Sequence, residues 1–495
     1  MNVWLVTLGS SDVQLKDAEV WGEWYQEIRR SLGPIDRARF KPTRTHEDDG
    51  TPYRIASRVL GIAYEKLGDA VTGQLVFPLL EQFQRQLLGN EEKIDRIVVL
   101  TSDQRDVFGE EERSSYRCPY WQDTGLLYPI VLGYLQSLFP VAQISQLSLS
   151  PEGFEQGLDD WDAVLKLVRR EIASLDFEPE KVYVSHQAGT PAISSAVQFS
   201  SLAKFGDRVE FLVSSEYRSE RMRLINSSEY LSALRLQEAK ALLDRYDYSG
   251  VERLMGRYLD LKNPEQKKIK RLLDAAIEWN HAEFHKFKNK LVKGNLIPKD
   301  AFPWWRSGYE SAYLAWVRLQ QENTVEALFH SFRGLEGTIL MWAKHEFSAD
   351  LQESPKFGLQ LKRSILQKLP KYEMKLSELN QINFKKYENI GLFGNPLYEL
   401  LRQAKPAWPE NGSIQIVWED AKTQRNSAFH TIEGLQKEEV FKSWNTETVE
   451  DWMKRILNCL NFVTGQSFTS LESASLMAKV HQDLKESIET YETKA

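Results

Sequence analysis

The sequence predicts an α/β domain with a Rossmann-like parallel sheet, followed by an all-helical region. In residues 1–230, apolar runs of strand length alternate with stretches whose apolar residues recur at helical spacing. This alternation is typical of a parallel sheet that is covered by helices on both faces. In residues 231–495, helical spacing continues almost without interruption. At 495 residues the chain is also too long for a single hydrophobic core, which again favours separate domains.

Five apolar runs of the first domain are predicted to be strands of the sheet, and helical patterns lie between them. The predicted strands are residues 2–8, 94–101, 141–149, 181–185 and 208–214. The predicted helical stretches are residues 56–86, 125–138, 159–175 and 191–205. Residues 221–226 (RMRLIN) are expected to close the sheet as a hairpin.

The second half is rich in Leu, Ala, Lys and Glu, which favour helices. Long helical patterns cover residues 233–261 and 264–291, and shorter ones cover 307–321, 323–346, 372–380, 446–462 and 472–493. Residues 412–418 (GSIQIVW) form the one apolar alternation that predicts a strand.

Composition excludes several classes of protein. The content of 42% apolar and 11% aromatic residues is that of a globular chain. No apolar run approaches the ~20 residues that a membrane span needs, and the N-terminus MNVWLVTLGSSD lacks the basic start of a signal peptide. Only two cysteines occur, Cys118 and Cys459, which excludes a disulfide framework or a cysteine zinc site. A cytoplasmic protein is therefore expected.

The charge of the chain is unevenly distributed. The net charge of −7 argues against a protein that coats nucleic acid. Residues 1–230 carry 25 basic and 35 acidic side chains, a net −10, and the remaining 38 and 35 give a net +3. A polyanion is therefore expected to meet the second half more easily. A nucleotide in the first half would be held by backbone amides and a few placed side chains.

Two predicted strands end in small and hydroxylated residues, at the edge of a parallel sheet where ligands bind. The first strand is followed by Gly9, Ser10, Ser11 and Asp12, and the fourth by residues 186–191 (HQAGTP), before a helix. Glycine turns with free amides suit a phosphate or a ribose, although such turns also occur for purely structural reasons. No phosphate-loop lysine motif and no G-x-G-x-x-G follows either strand, which disfavours ordinary ATP or dinucleotide binding.

The second half contains one segment with the residues for RNA cleavage, Arg425-Asn426-Ser427-Ala428-Phe429-His430. On a helix, Asn426 and His430 are one turn apart. A histidine can move protons at neutral pH and an arginine can hold a phosphate. This pair would suffice for cleavage by the 2′-hydroxyl of the RNA itself, without a metal. About one such Arg–His spacing is expected by chance in a chain of this composition, so the spacing alone does not decide its function.

Other candidate sites fit their chemistry less well. His281 and His285 have the spacing of metal ligands on one helix face, but Ala282 stands where the zinc-protease pattern needs a glutamate. No metal site is therefore predicted. The acidic residues 110–112 are interpreted as a solvated loop, and Trp304 and Trp305 as residues that pack helices.

Taken together, these motifs resemble the CRISPR-associated CARF–HEPN ribonucleases, which are ancillary effectors of type III systems. The resemblance rests on the T-x-G-S-S-D end of the first strand, the S-x-Q-A-G-T-P-A turn and the late R-N-x-x-x-H. Its most specific part is the turn Ala188-Gly189-Thr190-Pro191-Ala192. The resemblance follows the domain order over nearly the whole chain. It implies that residues 1–230 form a ligand-sensing CARF domain and that residues 231–495 form a helical region with a HEPN ribonuclease domain.

The resemblance also implies roles for individual residues. Those that match the two ligand loops of the family are Gly9, Ser10, Ser11, Asp12, Gly189, Thr190 and Pro191. Those that match the nuclease motif are Arg425, Asn426 and His430. Adjacent ligand candidates without a firm counterpart are Gln14, His186 and Gln187. The sequence departs from the family at Ala188, where a glycine is common, and this departure puts the preference for ring size in doubt.

The activity that the resemblance implies is metal-independent cleavage of RNA by a homodimer or a higher even-numbered oligomer. The activator would be a cyclic oligoadenylate bound across a two-fold interface, with cyclic tetra-adenylate preferred and cyclic hexa-adenylate as the second choice. No cofactor would be required. Two alternatives remain open: a nucleotide sensor without nuclease activity, and a ring nuclease that degrades the cyclic oligoadenylate. A transcription regulator is disfavoured because no helix-turn-helix with a basic recognition face occurs.

Overall fold

The computed structural model describes residues 1–32, 40–44, 51–90, 92–151, 157–214, 223–356, 358–380, 388–408, 411–419 and 434–494. The chain divides into two compact units, Met1–Ser232 and Ala233–Ala495. Clusters of buried apolar side chains form a core within each unit. Among the described helices, none has the combination of length and hydropathy that a bilayer span requires.

The described part of the first unit contains ten strands. They are β1 Asn2–Thr7, β2 Gln14–Leu15, β3 Thr43–Arg44, β4 Tyr53–Arg54, β5 Leu75–Val76, β6 Arg96–Ser102, β7 Gln143–Leu149, β8 Lys181–Ser185, β9 Val209–Val213 and β10 Arg223–Asn226. Six of them form the main sheet in the order β10-β9-β8-β1-β6-β7. All pairs in this sheet are parallel except β9 with β10. The five predicted strands and the closing hairpin strand are therefore confirmed.

Helices cover both faces of this sheet, as the alternation of strands and helices predicts. The helices of the first unit are α1 Trp21–Ile28, α2 Ser57–Leu67, α3 Asp69–Thr72, α4 Pro78–Gly89, α5 Glu110–Arg113, α6 Tyr128–Leu138, α7 Trp161–Ala173 and α8 Pro191–Phe205. In β1, Trp4 and Val6 belong to the core shared with α2, α4 and α6, whereas Val3 and Leu5 belong to the core shared with α7 and α8. Alternate side chains of a strand point to opposite faces, so a fully apolar strand fits a sheet covered on both sides.

Two local predictions in the first unit are corrected. The helical stretch at residues 56–86 is interrupted, because the chain turns at Gly68 with a φ of +57°, forms only the short α3 and begins the next long helix, α4, at Pro78. Between these points lies β5, part of a second sheet in the order β3-β4-β2-β5. The two-residue strands of this second sheet are too short to give a periodic apolar pattern in the sequence. The acidic run at 110–112 is not a loop but the start of α5, although its side chains are exposed as expected.

The second unit is helical from its first residue, within α9. Its helices are α9 Ser227–Asp244, α10 Tyr248–Met255, α11 Pro264–Asn280, α12 Phe284–Lys293, α13 Arg306–Gln320, α14 Thr324–Glu346, α15 Tyr372–Asn380, α16 Gly394–Ala404, α17 Gly412–Glu419, α18 Lys437–Lys442, α19 Val449–Thr464, α20 Leu471–Ala474 and α21 Leu476–Lys494. These bounds confirm the helical character of the region, but the predicted stretches 233–261, 264–291 and 472–493 are each divided into two helices. Trp304 and Trp305 pack against its core, as predicted.

The strand prediction for the second unit is wrong. Residues 412–418 form α17 and not a strand: the buried residues Ile414 and Val417 are three apart, and the Asn411 side chain accepts a hydrogen bond from the Ile414 amide at 3.1 Å. The strands of this unit lie elsewhere: β11 Leu351–Ser354, β12 Gly358–Lys362 and β13 Asn389–Gly391 form a small antiparallel sheet. Short strands and short helices have similar apolar patterns, so only packing distinguishes them.

His281 and His285 do not share a helix. α11 ends at Asn280 and α12 begins at Phe284, and the turn between them places Ala282 at a φ of 58°. Within the described residues there is no group of three or more histidine, cysteine, aspartate or glutamate side chains arranged to hold a metal ion.

Candidate functional site

The two predicted ligand loops follow adjacent strands of the main sheet. β1 pairs in parallel with β8, so both strands end at the same edge. The Trp4 indole donates a hydrogen bond to the Ser185 hydroxyl at 2.9 Å, and the Thr7 hydroxyl donates one to the Ser185 carbonyl at 3.1 Å. These buried contacts fix the two strand ends relative to each other.

The loops themselves touch at Gly9. A Cβ atom at this position would lie 2.8 Å from the Gly189 amide nitrogen and 3.3 Å from the Ala188 Cβ. Such distances are shorter than normal packing allows, so only glycine permits this approach. Ala188 is buried with its methyl group against Gly9. The Ala188 methyl group therefore fills the contact between the loops.

Asp12 and Gln14 stabilise the first loop from inside the domain. Asp12 is fully buried, and its carboxylate accepts a hydrogen bond from the Gly9 amide at 2.7 Å. The Gln14 amide group is also buried and donates to the Ser11 carbonyl at 2.8 Å. The prediction that the Gly9 amide is free is therefore wrong. Asp12 and Gln14 shape the loop and have no surface with which to reach a ligand.

Donors for an anion remain at the surface of both loops. Ser10, Ser11 and Thr190 are half-buried, and Gly189 is exposed. The backbone amides of these four residues make no hydrogen bond to another described residue. Successive free amides form a concave surface that attracts anions, as the sequence predicts for these loops.

The second loop leads directly into α8. Gly189 has a φ of +102°, a conformation that favours glycine. The Thr190 hydroxyl caps the helix by accepting from the Ile193 amide at 3.3 Å, and it donates to the Leu158 carbonyl at 3.0 Å. Exposed Pro191 occupies the first turn of the helix. The positive end of the α8 dipole therefore lies at this loop.

His186 and Gln187 are directed towards neighbouring elements. The Gln187 side chain donates to the Ser214 carbonyl at 2.9 Å and accepts from the Ser214 amide at 2.6 Å, beyond the end of β9. His186 lies 3.3 Å from the Ser194 hydroxyl in α8 and meets the Phe211 ring edge-on at 5.3 Å. Burial lowers the pKa of His186, so its imidazole is neutral at physiological pH. Gln187 therefore ties the loop to the end of β9, and His186 packs between α8 and β9.

A buried chain of hydrogen bonds lies behind Thr190 and has no signal in the sequence. Leu158, whose carbonyl accepts from Thr190, donates its amide to the Gln104 side chain at 2.8 Å. Gln104 donates to Asp123 at 2.9 Å, and Asp123 pairs with Arg58 at 2.7 Å. These partners come from distant parts of the sequence, so no local motif could reveal them. They connect the second loop to the first turn of α2.

Arg58 also pairs with Asp103, which follows β6, at 2.9 Å. Burial alone would raise the pKa of Asp103, but hydrogen bonds from Arg105 and Arg58 outweigh it and lower the pKa. Asp103 is therefore ionised at neutral pH, and the Arg58 charge is compensated inside the domain.

The predicted nuclease motif, Arg425, Asn426 and His430, lies outside the described residues. It falls between α17 and α18. Its geometry is therefore still a prediction from the sequence.

The chain matches no protein-family model and no curated protein. Among solved structures, it is similar to Csm6 of Enterococcus italicus, determined in a complex with cyclic hexa-2′-fluoro-hexa-dAMP. The TM-score is 0.57 at 13% sequence identity, and the match covers 98% of this chain and 100% of that chain. The chain shares its fold with Csm6. The fold class predicted from the sequence, a Rossmann-like sheet domain followed by a helical region, is thereby confirmed over both units.

Proposed function

We propose that this chain is a metal-independent, single-strand RNA endoribonuclease of type III CRISPR defence that is activated by a cyclic oligoadenylate. The observation that carries the proposal is the end-to-end likeness to Csm6 bound to a cyclic hexa-adenylate analogue. It is supported by the two amide-rich loops that meet at the carboxyl edge of the sheet. We propose that the protein acts as a homodimer, or a higher even-numbered oligomer, in the cytoplasm.

The sensor in this proposal is the surface of the two loops. The amides of Ser10, Ser11, Gly189 and Thr190 donate to phosphate oxygens, and the N-terminus of α8 adds positive potential. Fixed backbone donors are needed because residues 1–230 carry a net charge of −10. A two-fold axis would supply a second copy of both loops and so match the symmetry of a cyclic ligand.

The nuclease in this proposal is the motif of Arg425, Asn426 and His430. The RNA 2′-hydroxyl attacks the adjacent phosphate and expels the 5′-oxygen, which leaves a 2′,3′-cyclic phosphate and a 5′-hydroxyl. His430 transfers the proton and Arg425 stabilises the charge that develops on the phosphate, while Asn426 orients the two. Ligand binding favours the arrangement in which two copies of the motif meet, which requires a difference in ring affinity between two states.

The test is RNA cleavage in the presence of cyclic tri-, tetra- and hexa-adenylate, with cyclic tetra-adenylate expected to act best. His430→Ala and Arg425→Ala should each lower the cleavage rate by about 10²-fold or more, since each removes a transition-state group. Ring affinity, measured by titration calorimetry, should not change. Wild-type cleavage by the His430→Ala protein would exclude the proposed site, and full cleavage without any ring would exclude the sensor.

The same assay tests the chemistry and the remaining alternatives. EDTA should leave the rate unchanged, and a 2′-deoxynucleotide at the cut position should block cleavage, because the nucleophile belongs to the RNA. Loss of activity on chelation would show that a metal takes part. Chromatography of the ring after incubation separates the alternatives: an intact ring argues against a ring nuclease, and binding without RNA cleavage would indicate a sensor alone.

A further inference from the structure

A cavity of about 450 Å³ lies directly beside the first ligand loop, with Ser10 in its wall. Its other walls come from two segments that the loop motifs do not include. The lining residues are Ser10, Phe40, Lys41, Thr43, Arg54, Ile55, Ala56, Tyr116, Arg117 and Gln122. Pockets of roughly 300–1,000 Å³ are the usual size for small-molecule ligands, so the cavity has room for one nucleotide unit.

The lining of this cavity is positively charged. Lys41, Arg54 and Arg117 line it, and none of the described residues that line it is acidic. This is unusual in a domain whose residues 1–230 carry a net charge of −10. Lys41 and Arg117 are exposed and form no ion pair with a described residue. A concentration of positive charge in an acidic domain is the arrangement that attracts an anion to one place.

The walls of the cavity are held by buried contacts. Arg58, the network residue in α2, donates to the Tyr120 carbonyl at 2.8 Å and lies over the Tyr120 ring at 3.9 Å. Phe40 packs edge-on against the Trp121 ring at 5.1 Å. These contacts join the first turn of α2 and the residues before it to the segment that carries Arg117. The cavity is therefore a feature of the packed fold and not a gap between independent surface loops.

We infer that this cavity is a nucleotide pocket: it holds one adenosine phosphate unit of the cyclic oligoadenylate, with Arg117 and Lys41 on the phosphate. This inference rests on the proposed function, because it extends the same ligand site beyond the two loops. The planar guanidinium of Arg117 suits two phosphate oxygens, whereas the Lys41 ammonium acts as a point charge. Tyr116, whose hydroxyl accepts a hydrogen bond from the Arg117 guanidinium at 3.0 Å, offers an aromatic wall for a base.

The position of Ser10 explains how the two loops and the cavity can bind the same ligand. Its amide belongs to the donor surface of the loops, and the residue also lines the cavity. A phosphate held at Ser10 would therefore place its neighbouring nucleotide at the cavity mouth. The loops alone would recognise a phosphate backbone, whereas the cavity would add contacts to a base and a second phosphate.

The test is calorimetric titration of the full-length protein with cyclic hexa-adenylate, cyclic tetra-adenylate and AMP. The double variant Lys41→Ala/Arg117→Ala should weaken binding of the preferred ring by at least about tenfold, since two charge-assisted phosphate contacts are lost. The matched control is Lys93→Ala/Arg208→Ala. It removes the same two charges from exposed positions that precede β6 and β9, at the opposite edge of the sheet, and it should leave affinity unchanged.

The other possible results of these titrations separate the nucleotide pocket from the proposed function. Unchanged ring affinity in the Lys41→Ala/Arg117→Ala protein, together with loss of binding in Gly189→Glu, would overturn the pocket but leave the proposed function intact. If the wild-type protein binds no ring, the proposed function is excluded. Titration with AMP then tests the nucleotide pocket by itself. AMP binding that is lost only in the Lys41→Ala/Arg117→Ala protein would support a nucleotide pocket, whereas no AMP binding would overturn it.

Discussion

At the scale of single residues, the contact between Gly9 and Gly189 is the most sensitive point of the proposed sensor. Gly9→Ala should weaken ring binding by about tenfold or more, because the new methyl group would displace the second loop. It should also lower the free energy of unfolding by about 1–3 kcal/mol through overpacking. Calorimetric titration and urea unfolding measure the two effects.

Gly73→Ala provides the matched control for this prediction. Gly73 has an ordinary helical conformation, and an added Cβ atom there would meet nothing within 4 Å. Its substitution should change stability by less than about 0.5 kcal/mol. Equal ring affinity in Gly9→Ala and Gly73→Ala would argue against a ligand site that depends on the contact of the two loops.

Two buried histidines should make the second unit sensitive to acid. Burial lowers the pKa of His330 and of His481 to about 4 in each case, with nearby cations adding to the effect. An exposed imidazole titrates near 6.5, so the unfolded chain takes up protons first as the pH falls. The contribution of each histidine is fully present above about pH 6.5 and is lost progressively towards pH 4.

The expected loss between pH 7.5 and pH 5 is about 2 kcal/mol of unfolding free energy for each histidine. His481→Phe should reduce the loss of stability over this interval, although it also removes the 3.0 Å contact with the Tyr248 hydroxyl and lowers stability at pH 7.5. His345→Gln, at an exposed position, is the control. An identical loss of stability in wild type and His481→Phe would contradict this account. Urea unfolding at the two pH values measures it.

At the scale of elements, Glu310 of α13 holds the start of α21. Its carboxylate is fully buried and accepts hydrogen bonds from the Trp279 indole at 2.9 Å, the Ser475 hydroxyl at 2.7 Å and the Leu476 amide at 2.7 Å. Burial raises the pKa of Glu310, whereas these hydrogen bonds favour its charged form, which the positive end of a helix dipole also stabilises. One side chain therefore joins α11, α13 and α21, and its loss would leave several buried donors without a partner.

Glu310→Ala should lower the free energy of unfolding by about 3 kcal/mol or more, because the buried donors lose their acceptor. Glu310→Gln should cost less, since the amide oxygen still accepts. Glu353→Ala, which removes an exposed ion pair with Lys344, should cost less than about 1 kcal/mol. Denaturant unfolding measures the free energy of unfolding of the three variants. If Glu310→Ala lowers this free energy no more than Glu353→Ala does, the proposed capping role of Glu310 is excluded.

At the scale of the whole molecule, each of the two units has its own core. The apolar clusters of Met1–Ser232 pack on the two faces of the sheet, and the cluster of Ala233–Ala495 lies among the helices. A fragment of residues 1–232 should therefore fold and bind the ring with the affinity of the full chain per site. Ligand at 100 times its Kd should stabilise this fragment by about 2.7 kcal/mol, measured by thermal unfolding. A fragment that folds but binds no ring would show that residues beyond 232 contribute to the sensor.

How much of the fold the sequence predicts depends on the length of the elements. β1, β6, β8 and α14 were predictable because long apolar runs and long helical patterns each have one interpretation. The interruption at Gly68 and the strand-like residues 412–418 were not, because short patterns fit both structures. The inward direction of the Asp12 and Gln14 side chains is not predictable for another reason: a polar side chain beside a ligand loop can face the ligand or the loop, and packing sets its direction.

The sequence by itself determined the fold class, the order of the two units, the two glycine loops and the candidate nuclease motif, because each depends on residue type and local spacing. Only the tertiary structure decided which of those loop residues present free donors and which are used internally. It alone brought Thr190, Gln104 and Arg58 into one buried network and placed Lys41 and Arg117 in one cavity. These residues come from distant segments that meet only when the sheet and its helices pack, so no local pattern in the sequence records their contact.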